Sequence, residues 1–238
     1  MSISREALEF LINEGERKEP IIELAQGTFS KTSLSRVTEP TASTLTVSTL
    51  TGLVDYIKTN VDSLQGKLLI HVASPTRVLL YSPLNDDRDR EEYISAEAIL
   101  PNNIHYARYL DTETFNIMLQ SSFVTNKDKE ILLKYTGLVK DEAVKSIGDD
   151  GISQAVTIKT GVASVAQAEV PNPVTLAPYR TFPEIAQPES KFIFRMKEGP
   201  SAALFEADGG AWRNAAILEI KEYLEEALKE NENIQIIA

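Results

Sequence analysis

Residues 67–83 read Lys67-Leu68-Leu69-Ile70-His71-Val72-Ala73-Ser74-Pro75-Thr76-Arg77-Val78-Leu79-Leu80-Tyr81-Ser82-Pro83. Two dense apolar runs are separated by Ser74-Pro75 and closed by Ser82-Pro83. Proline has no backbone donor and pushes its predecessor out of the helical region, so each pair punctuates short strands. The next segment, Asp86-Asp87-Arg88-Asp89-Arg90-Glu91-Glu92, alternates in sign and reads as a solvated turn. A third run, residues 92–100, brings Tyr93, Ile94, Ala96, Ala98 and Ile99. Parallel neighbours would need a crossover of a dozen or more residues, so these short links predict an antiparallel meander.

Helices are expected on both sides of the meander. Upstream, Leu50, Leu53, Val54, Ile57, Val61 and Leu64 recur at helical spacing until Gly66. An earlier helix is predicted over 5–14, capped by Ser4 and closed by Gly15, with Leu8, Leu11 and Ile12 on one stripe. Downstream, Asp111 caps a helix carrying Phe115, Met118 and Leu119, and Thr125-Asn126-Lys127-Asp128 resembles a capping box opening a short helix that stops at Gly137. Asp149-Asp150-Gly151 reads as a turn into a period-two strand over 153–160. Residues 192–196 and 202–205 predict a strand pair, residues 211–230 a final helix, and residues 234–237 a closing strand.

Two stretches fit neither pattern. Residues 28–51 hold 13 Ser or Thr in 24 positions, and such hydroxyls compete with helix by bonding the local backbone. Residues 166–190 hold five of the eleven prolines and only four charged side chains. At about 3.1 Å per residue an extended segment of that length would run roughly 75 Å, well beyond the diameter of about 45 Å of a compact chain this long. It must wrap its own body or reach a neighbour. Its apolar residues, Val170, Val174, Leu176, Tyr179, Phe182 and Ile185, need cover in either case and are candidates for an oligomer contact. Two such arms on one chain favour a homo-oligomer.

The 238 residues carry 35 acids against 24 bases, a net charge of −11, with no cysteine and two histidines. Disulfide frameworks, thiol nucleophiles and cysteine-held zinc or iron–sulfur centres are thereby excluded. The acidic balance argues against nucleic acid as a partner, since phosphate neutralisation needs clustered Lys and Arg. The start, Met1-Ser2-Ile3-Ser4-Arg5-Glu6, lacks the apolar region of a secretory leader, and no run nears the 18 or so apolar residues of a membrane span. The expectation is a cytoplasmic protein with no membrane contact.

The sequence holds no dinucleotide fingerprint, phosphate loop, zincin motif or nucleophile elbow. His71 lies in an apolar run and His105 in a Tyr-rich turn, as structural histidines do. Asp208 with Glu219-Ile220-Lys221 imitates the acid-plus-Glu-x-Lys order of metal-dependent nucleases. On a helix, however, residues two apart are separated by about 200° and point away from one another. Phe205-Glu206-Ala207-Asp208-Gly209-Gly210-Ala211-Trp212 bends into a helix start, where free amides at Gly209, Gly210 and Ala211 form a candidate site for a small anion. The alternative is that Asp208 or a glycine caps the helix. Tyr179-Arg180-Thr181-Phe182 and Phe192-Ile193-Phe194-Arg195 interleave aromatic and basic residues as single-strand binders do, although a core strand and a docked arm account for them more simply.

The series Asp149-Asp150-Gly151-Ile152-Ser153-Gln154, Pro171-Asn172-Pro173-Val174, Tyr179-Arg180-Thr181-Phe182-Pro183-Glu184, Gln187-Pro188-Glu189-Ser190 and Phe205 to Trp212 resembles the YfdQ-like family of phage and prophage proteins of unknown function. His71-Val72-Ala73-Ser74-Pro75-Thr76-Arg77-Val78 fits as well, so the similarity covers most of 67–230, while the first 50 residues match poorly. The resemblance implies a phage or prophage origin and a bacterial cytoplasm, and carries over no catalytic residue. Together these readings predict a single α+β domain over 1–238, mainly antiparallel, with flanking helices and extended arms at 28–51 (Ser/Thr-rich) and 166–190 (Pro-rich). The function expected is a non-enzymatic phage protein that self-assembles into a ring, cage or shell and needs no cofactor. The alternatives are sequestration of a small phosphorylated nucleotide and an accessory role in phage DNA replication or recombination.

Overall fold

The computed structural model describes residues 4–16, 21–24, 27–30, 41–86, 88–138, 144–149, 154–160, 164–169, 172–197 and 201–238. The chain divides into two units, Met1–Thr41 and Ala42–Ala238. The first contains α1 (Arg5–Glu16) and an antiparallel hairpin of β1 (Ile21–Leu24) and β2 (Gly27–Ser30). Ser4 caps α1 by accepting from the Ala7 amide at 3.3 Å, as the sequence indicates, and the helix continues past Gly15 to Glu16. Leu8 is half exposed, and the Leu11 and Ile12 side chains lie outside the described residues.

The second unit is α+β. In chain order it runs β3 (Leu45–Val47), α2 (Leu50–Thr59), β4 (Leu68–Ser74), β5 (Arg77–Tyr81), β6 (Glu92–Glu97), β7 (Leu110–Asp111), α3 (Thr112–Ser122) and α4 (Lys127–Leu138). There follow β8 (Val144–Asp149), β9 (Gln154–Thr160), β10 (Ser164–Glu169), β11 (Val174–Leu176), β12 (Ser190–Lys197), β13 (Ser201–Glu206), α5 (Trp212–Ala227) and β14 (Ile234–Ile237). Strands β8, β9 and β10 form an antiparallel sheet in the order β10-β9-β8.

The meander is present, with β4, β5 and β6 antiparallel neighbours. It is extended at both edges by parallel strands, β14 beside β4 and β3 beside β6, so this five-stranded sheet is mixed. Leu50, Leu53, Val54 and Ile57 of α2 and Ile220 and Leu224 of α5 pack on it, together with buried Ile70, Val72, Leu80 and Ile94. The helical stripe of α2 reads correctly up to Ile57 but does not reach Leu64. Asn60 takes a left-handed conformation (φ 47°), sends its amide to the Tyr56 carbonyl and accepts from the Leu64 amide at 2.7 Å, ending the helix and leaving Val61 exposed.

A second core sits under the antiparallel sheet β11-β12-β13-β7. Along β12 the period-two pattern sends Ser190, Phe192, Phe194 and Met196 inward. Phe192 meets Tyr106 (5.6 Å between centroids) and Phe123 (6.5 Å), and Phe194 meets Phe115 (5.8 Å) and Tyr135 (6.3 Å). The capping reading of Asp111 holds, its carboxylate accepting from the Thr114 amide at 2.9 Å. For α4 the cap is Asn126, which accepts from Lys129 N at 2.9 Å, while Asp128 turns away to take the Thr175 amide of β11 at 2.7 Å.

Of the Ser/Thr-rich stretch, β2 takes the start and β3 and the first residues of α2 the end, while residues 31–40, the middle of the arm expected there, fall outside the described residues. The described part of the Pro-rich segment wraps its own chain. Val174 and Leu176 are fully buried in the antiparallel-sheet core and Phe182 is fully buried in the mixed-sheet core, so the segment runs from one core to the other. Two hydrogen bonds fix the crossing: Tyr179 N donates to Ser122 O at 2.9 Å, and Thr181 Oγ1 donates to Pro75 O at 2.5 Å. Glu184 completes it by accepting from the Thr51 amide in the first turn of α2 at 2.9 Å.

Candidate functional site

The crossing segment builds two features. The first is a polar cluster around Arg180, whose side chain is only 6% exposed. Its Nη2 donates to Pro188 O at 2.9 Å and to Ser190 Oγ, and its Nη1 lies 3.5 Å from Glu206 Oε1. Its guanidinium also sits 4.0 Å from the centre of the Trp212 ring, within cation–π range. Burial pulls the Arg180 pKa down, against the pull of Tyr106, Asp208 and Glu206. Tyr106 is pushed up to about 12, first by burial, with Glu206 and Asp208 adding to the rise and Arg180 opposing it.

Asp208 settles what the helix start can do. Its Oδ2 accepts from the Ser190 hydroxyl at 2.6 Å and its Oδ1 from the Gly210 amide at 3.0 Å. Gly209 and Gly210 take positive φ (62° and 82°), and Ala211, at the cap position, is already helical and has no side-chain cap. The Asp208 carboxylate takes the Gly210 amide and the Asp208 carbonyl the Ala211 amide at 3.2 Å, so neither amide is free for an anion, and the carboxylate bond falls in the turn before α5 rather than at its cap. A Cβ on Gly210 would meet the Arg213 guanidinium, which itself lies 4.9 Å from the Trp212 ring centre. Trp212 Nε1 and Arg180 Nε are out of solvent and meet no acceptor among the described residues. Trp212 also lines the adjoining groove of about 370 Å³, with Ser190 and Asp208.

Desolvation raises the Asp208 pKa, yet bonds from Ser190, Gly210 and Trp212 and the Arg180 charge outweigh it and leave a net lowering from 3.8. A carboxylate whose folded pKa is depressed stabilises the fold fully above its unfolded value and loses that contribution as pH falls through the folded one. Asp208→Ala, which removes the acceptor for both Ser190 and Gly210, is accordingly expected to cost about 1 kcal/mol at neutral pH. The gap from the parent should close below about pH 4 in thermal melts.

The second feature is an apolar groove of about 460 Å³ between the segment after β6 and the crossing segment. Ile99, Leu100 and Pro101 form one wall and Tyr179, Pro183 and Ile185 the other. None of its nine lining residues carries a charge. Ile99 is 81% exposed, the most exposed of the large hydrophobic residues described, and Tyr179 is 41% exposed. Gln187 in the wall is bonded inward: its Oε1 accepts from Arg180 N (2.9 Å) and Thr181 N (3.2 Å), and its Nε2 donates to Phe182 O (3.0 Å).

Of the six residues proposed for an oligomer contact, Val174, Leu176 and Phe182 are thus spent within the chain, Tyr179 and Ile185 line the groove, and Val170 lies outside the described residues. Ile99 and Leu100 read in the sequence as the end of a strand, but β6 stops at Glu97 and leaves them outside it. Glu219 and Lys221 both lie on α5, and Lys221 pairs with Glu225 at 3.7 Å rather than with a nuclease-like acid. His71 sits half-buried in β4, and the His105 amide points at Met118 Sδ. Asp149 ends β8, and Asp150 lies outside the described residues. Among the described residues, no three His, Cys, Asp or Glu could hold a metal, and no helix is long and apolar enough to cross a membrane. Comparisons with protein-family models, curated proteins and solved structures find no match, so the family resemblance rests on the quoted motifs alone.

Proposed function

We propose that this is a non-enzymatic phage or prophage protein whose copies self-assemble into a homo-oligomer of ring, cage or shell type. The observation that carries the reading is the uncharged groove beside Ile99. A chain of net charge −11 repels its own copies, so self-contact needs a face clear of carboxylates, and the groove provides one. Exposed apolar surface of this kind is found at protein contacts. Phage or prophage origin is supported by the quoted C-terminal motifs.

Sedimentation of the purified chain over a dilution series tests the reading. At micromolar concentration the mass should be a multiple of 26.4 kDa. Association should strengthen between about 0.05 and 0.5 M salt, because screening weakens the like-charge repulsion while apolar contact persists. A mass of 26.4 kDa at every concentration and salt overturns the proposal.

A further inference from the structure

We infer that the free edge of β14 pairs with the β14 of a second copy, antiparallel about a two-fold axis at Ile236, and so joins two mixed sheets into one. The inference rests on the self-assembly reading and gives it a named contact. It is separate from the groove beside Ile99, because a two-fold contact closes at a dimer and any larger particle needs a further face.

The edge is defined by main-chain groups rather than by apolar surface. β14 is the outermost strand of the mixed sheet and pairs only with β4 among the described residues. Asn233 O accepts from Leu68 N at 2.9 Å. By alternation, Gln235 and Ile237 also turn their main-chain groups to β4, while Ile234 and Ile236 turn theirs outward. The Ile234 amide is taken by Asn231 O at 3.3 Å. The Ile234 carbonyl and both main-chain groups of Ile236 then face out with no partner among the described residues. Two other strands have their outer sides closed. On β11, Asp128 Oδ2 accepts from Thr175 N at 2.7 Å and Asn126 Nδ2 donates to Thr175 O at 3.0 Å; on β13, Leu204 O takes the Ala107 amide at 2.8 Å. β14 has no such cover, and Ile234-Gln235-Ile236-Ile237 holds no proline, charge or bulge, the devices that keep edges apart.

These groups select the occupant and its register. A row of unpaired amides and carbonyls is satisfied by an extended strand. Residues that exchange both bonds across an antiparallel ladder must each have both groups free, and within β14 that residue is Ile236. Placed opposite its own copy, Ile236 exchanges two bonds, and on either side the Ala238 amide reaches the Ile234 carbonyl of the other copy. A second β14 is already held extended by β4, whereas a loose peptide loses freedom on docking. The charges in the groove of about 240 Å³ between this edge and the end of α5 are paired within their own chain, Glu225 with Lys221 (3.7 Å) and Lys229 with Glu226 (2.6 Å). One acidic copy can therefore approach another here.

The absence of cysteine gives a test of register. An axis at Ile236 sets Gln235 opposite Ile237 of the other copy, both on the exposed face. Their Cα atoms would lie about 4.5 Å apart, within disulfide reach, and like positions about 7–8 Å apart. Gln235→Cys and Ile237→Cys are made as separate single variants and gently oxidised, each alone and mixed. The mixture should give a covalent dimer whose linked peptides, by mass spectrometry, join positions 235 and 237, formed faster than either variant links to itself. Ile236→Pro removes the outward amide without touching a bond to β4. It should weaken self-association about tenfold or more, as loss of two main-chain bonds does, with an unchanged circular dichroism spectrum in dilute solution. The cysteine pair, placed on the exposed face, decides independently should the proline disturb the strand. An oligomer that gives no 235–237 link, or links like positions as readily, overturns the edge pairing while leaving self-assembly standing. A monomer at every concentration overturns both and leaves the edge to a strand of another protein.

Discussion

Arg180→Ala should be among the most destabilising substitutions in the chain, by about 3 kcal/mol, because removing one partner of a buried charge network leaves the others uncompensated. For a chain of this size that corresponds to a fall of roughly 6–12 °C in the unfolding midpoint. The reasons lie in its partners. The guanidinium holds Pro188 O and Ser190 Oγ with Nη2, reaches Glu206 with Nη1 and lies against Trp212, so one side chain ties the crossing segment to β12, β13 and α5. Without it, Asp208 and Tyr106 also lose the charge that favours the ionised form of each. Glu206 keeps about a third of its side chain in water, which limits the loss at that end. Arg180→Lys is the informative companion. A point charge cannot span two acceptors and a ring as the planar fork does, so less than half the loss should be recovered. Thermal melts at neutral pH check both variants, and a shift under about 1 °C for Arg180→Ala would mean that the cluster contributes nothing net.

How far the fold was legible follows from how local each signal is. The meander was readable because Ser-Pro pairs and a charged turn bound its strands, and the α5 stripe because Ala216, Ile220 and Leu224 recur at one-turn spacing. The early end of α2 was not, because Val61 and Leu64 continue the apolar rhythm past the left-handed Asn60 that breaks the helix. The parallel edges were not readable either, since β14 meets β4 across some 160 intervening residues and no short-range pattern records that pairing. The candidate site shows the same limit. Asp208 at the helix start is a local matter and could be weighed from its neighbours. The burial of Arg180 depends on Pro188, Ser190, Glu206 and Trp212 converging from separate segments. Ile99 stands out only because β6 ends two residues before it, while the alternation in the sequence carries on.

The remaining large effect is expected from the crossing segment itself. Phe182 is fully buried in the mixed-sheet core of its own chain, and truncating a buried phenylalanine costs about 3–5 kcal/mol through lost transfer energy and the cavity left behind. Phe182→Ala should therefore lower the unfolding midpoint by roughly 6–20 °C. The concentration dependence separates the two roles the segment could have. A side chain covered by a neighbouring copy gives a penalty that grows as association is populated, because mass action links stability to oligomer. A side chain covered by its own chain gives the same penalty in a dilute monomer. Tyr179→Ala should show the opposite pattern. Tyr179 is 41% exposed at the groove, so its loss should change little in the dilute chain and weaken assembly at high concentration. If Phe182→Ala were harmless in dilute solution and damaging only in the oligomer, the segment would be an arm given to a neighbour. Its burial between two cores of one chain argues for the other result: the Pro-rich segment first joins the sheets of its own molecule, and only its outer side is left to meet another.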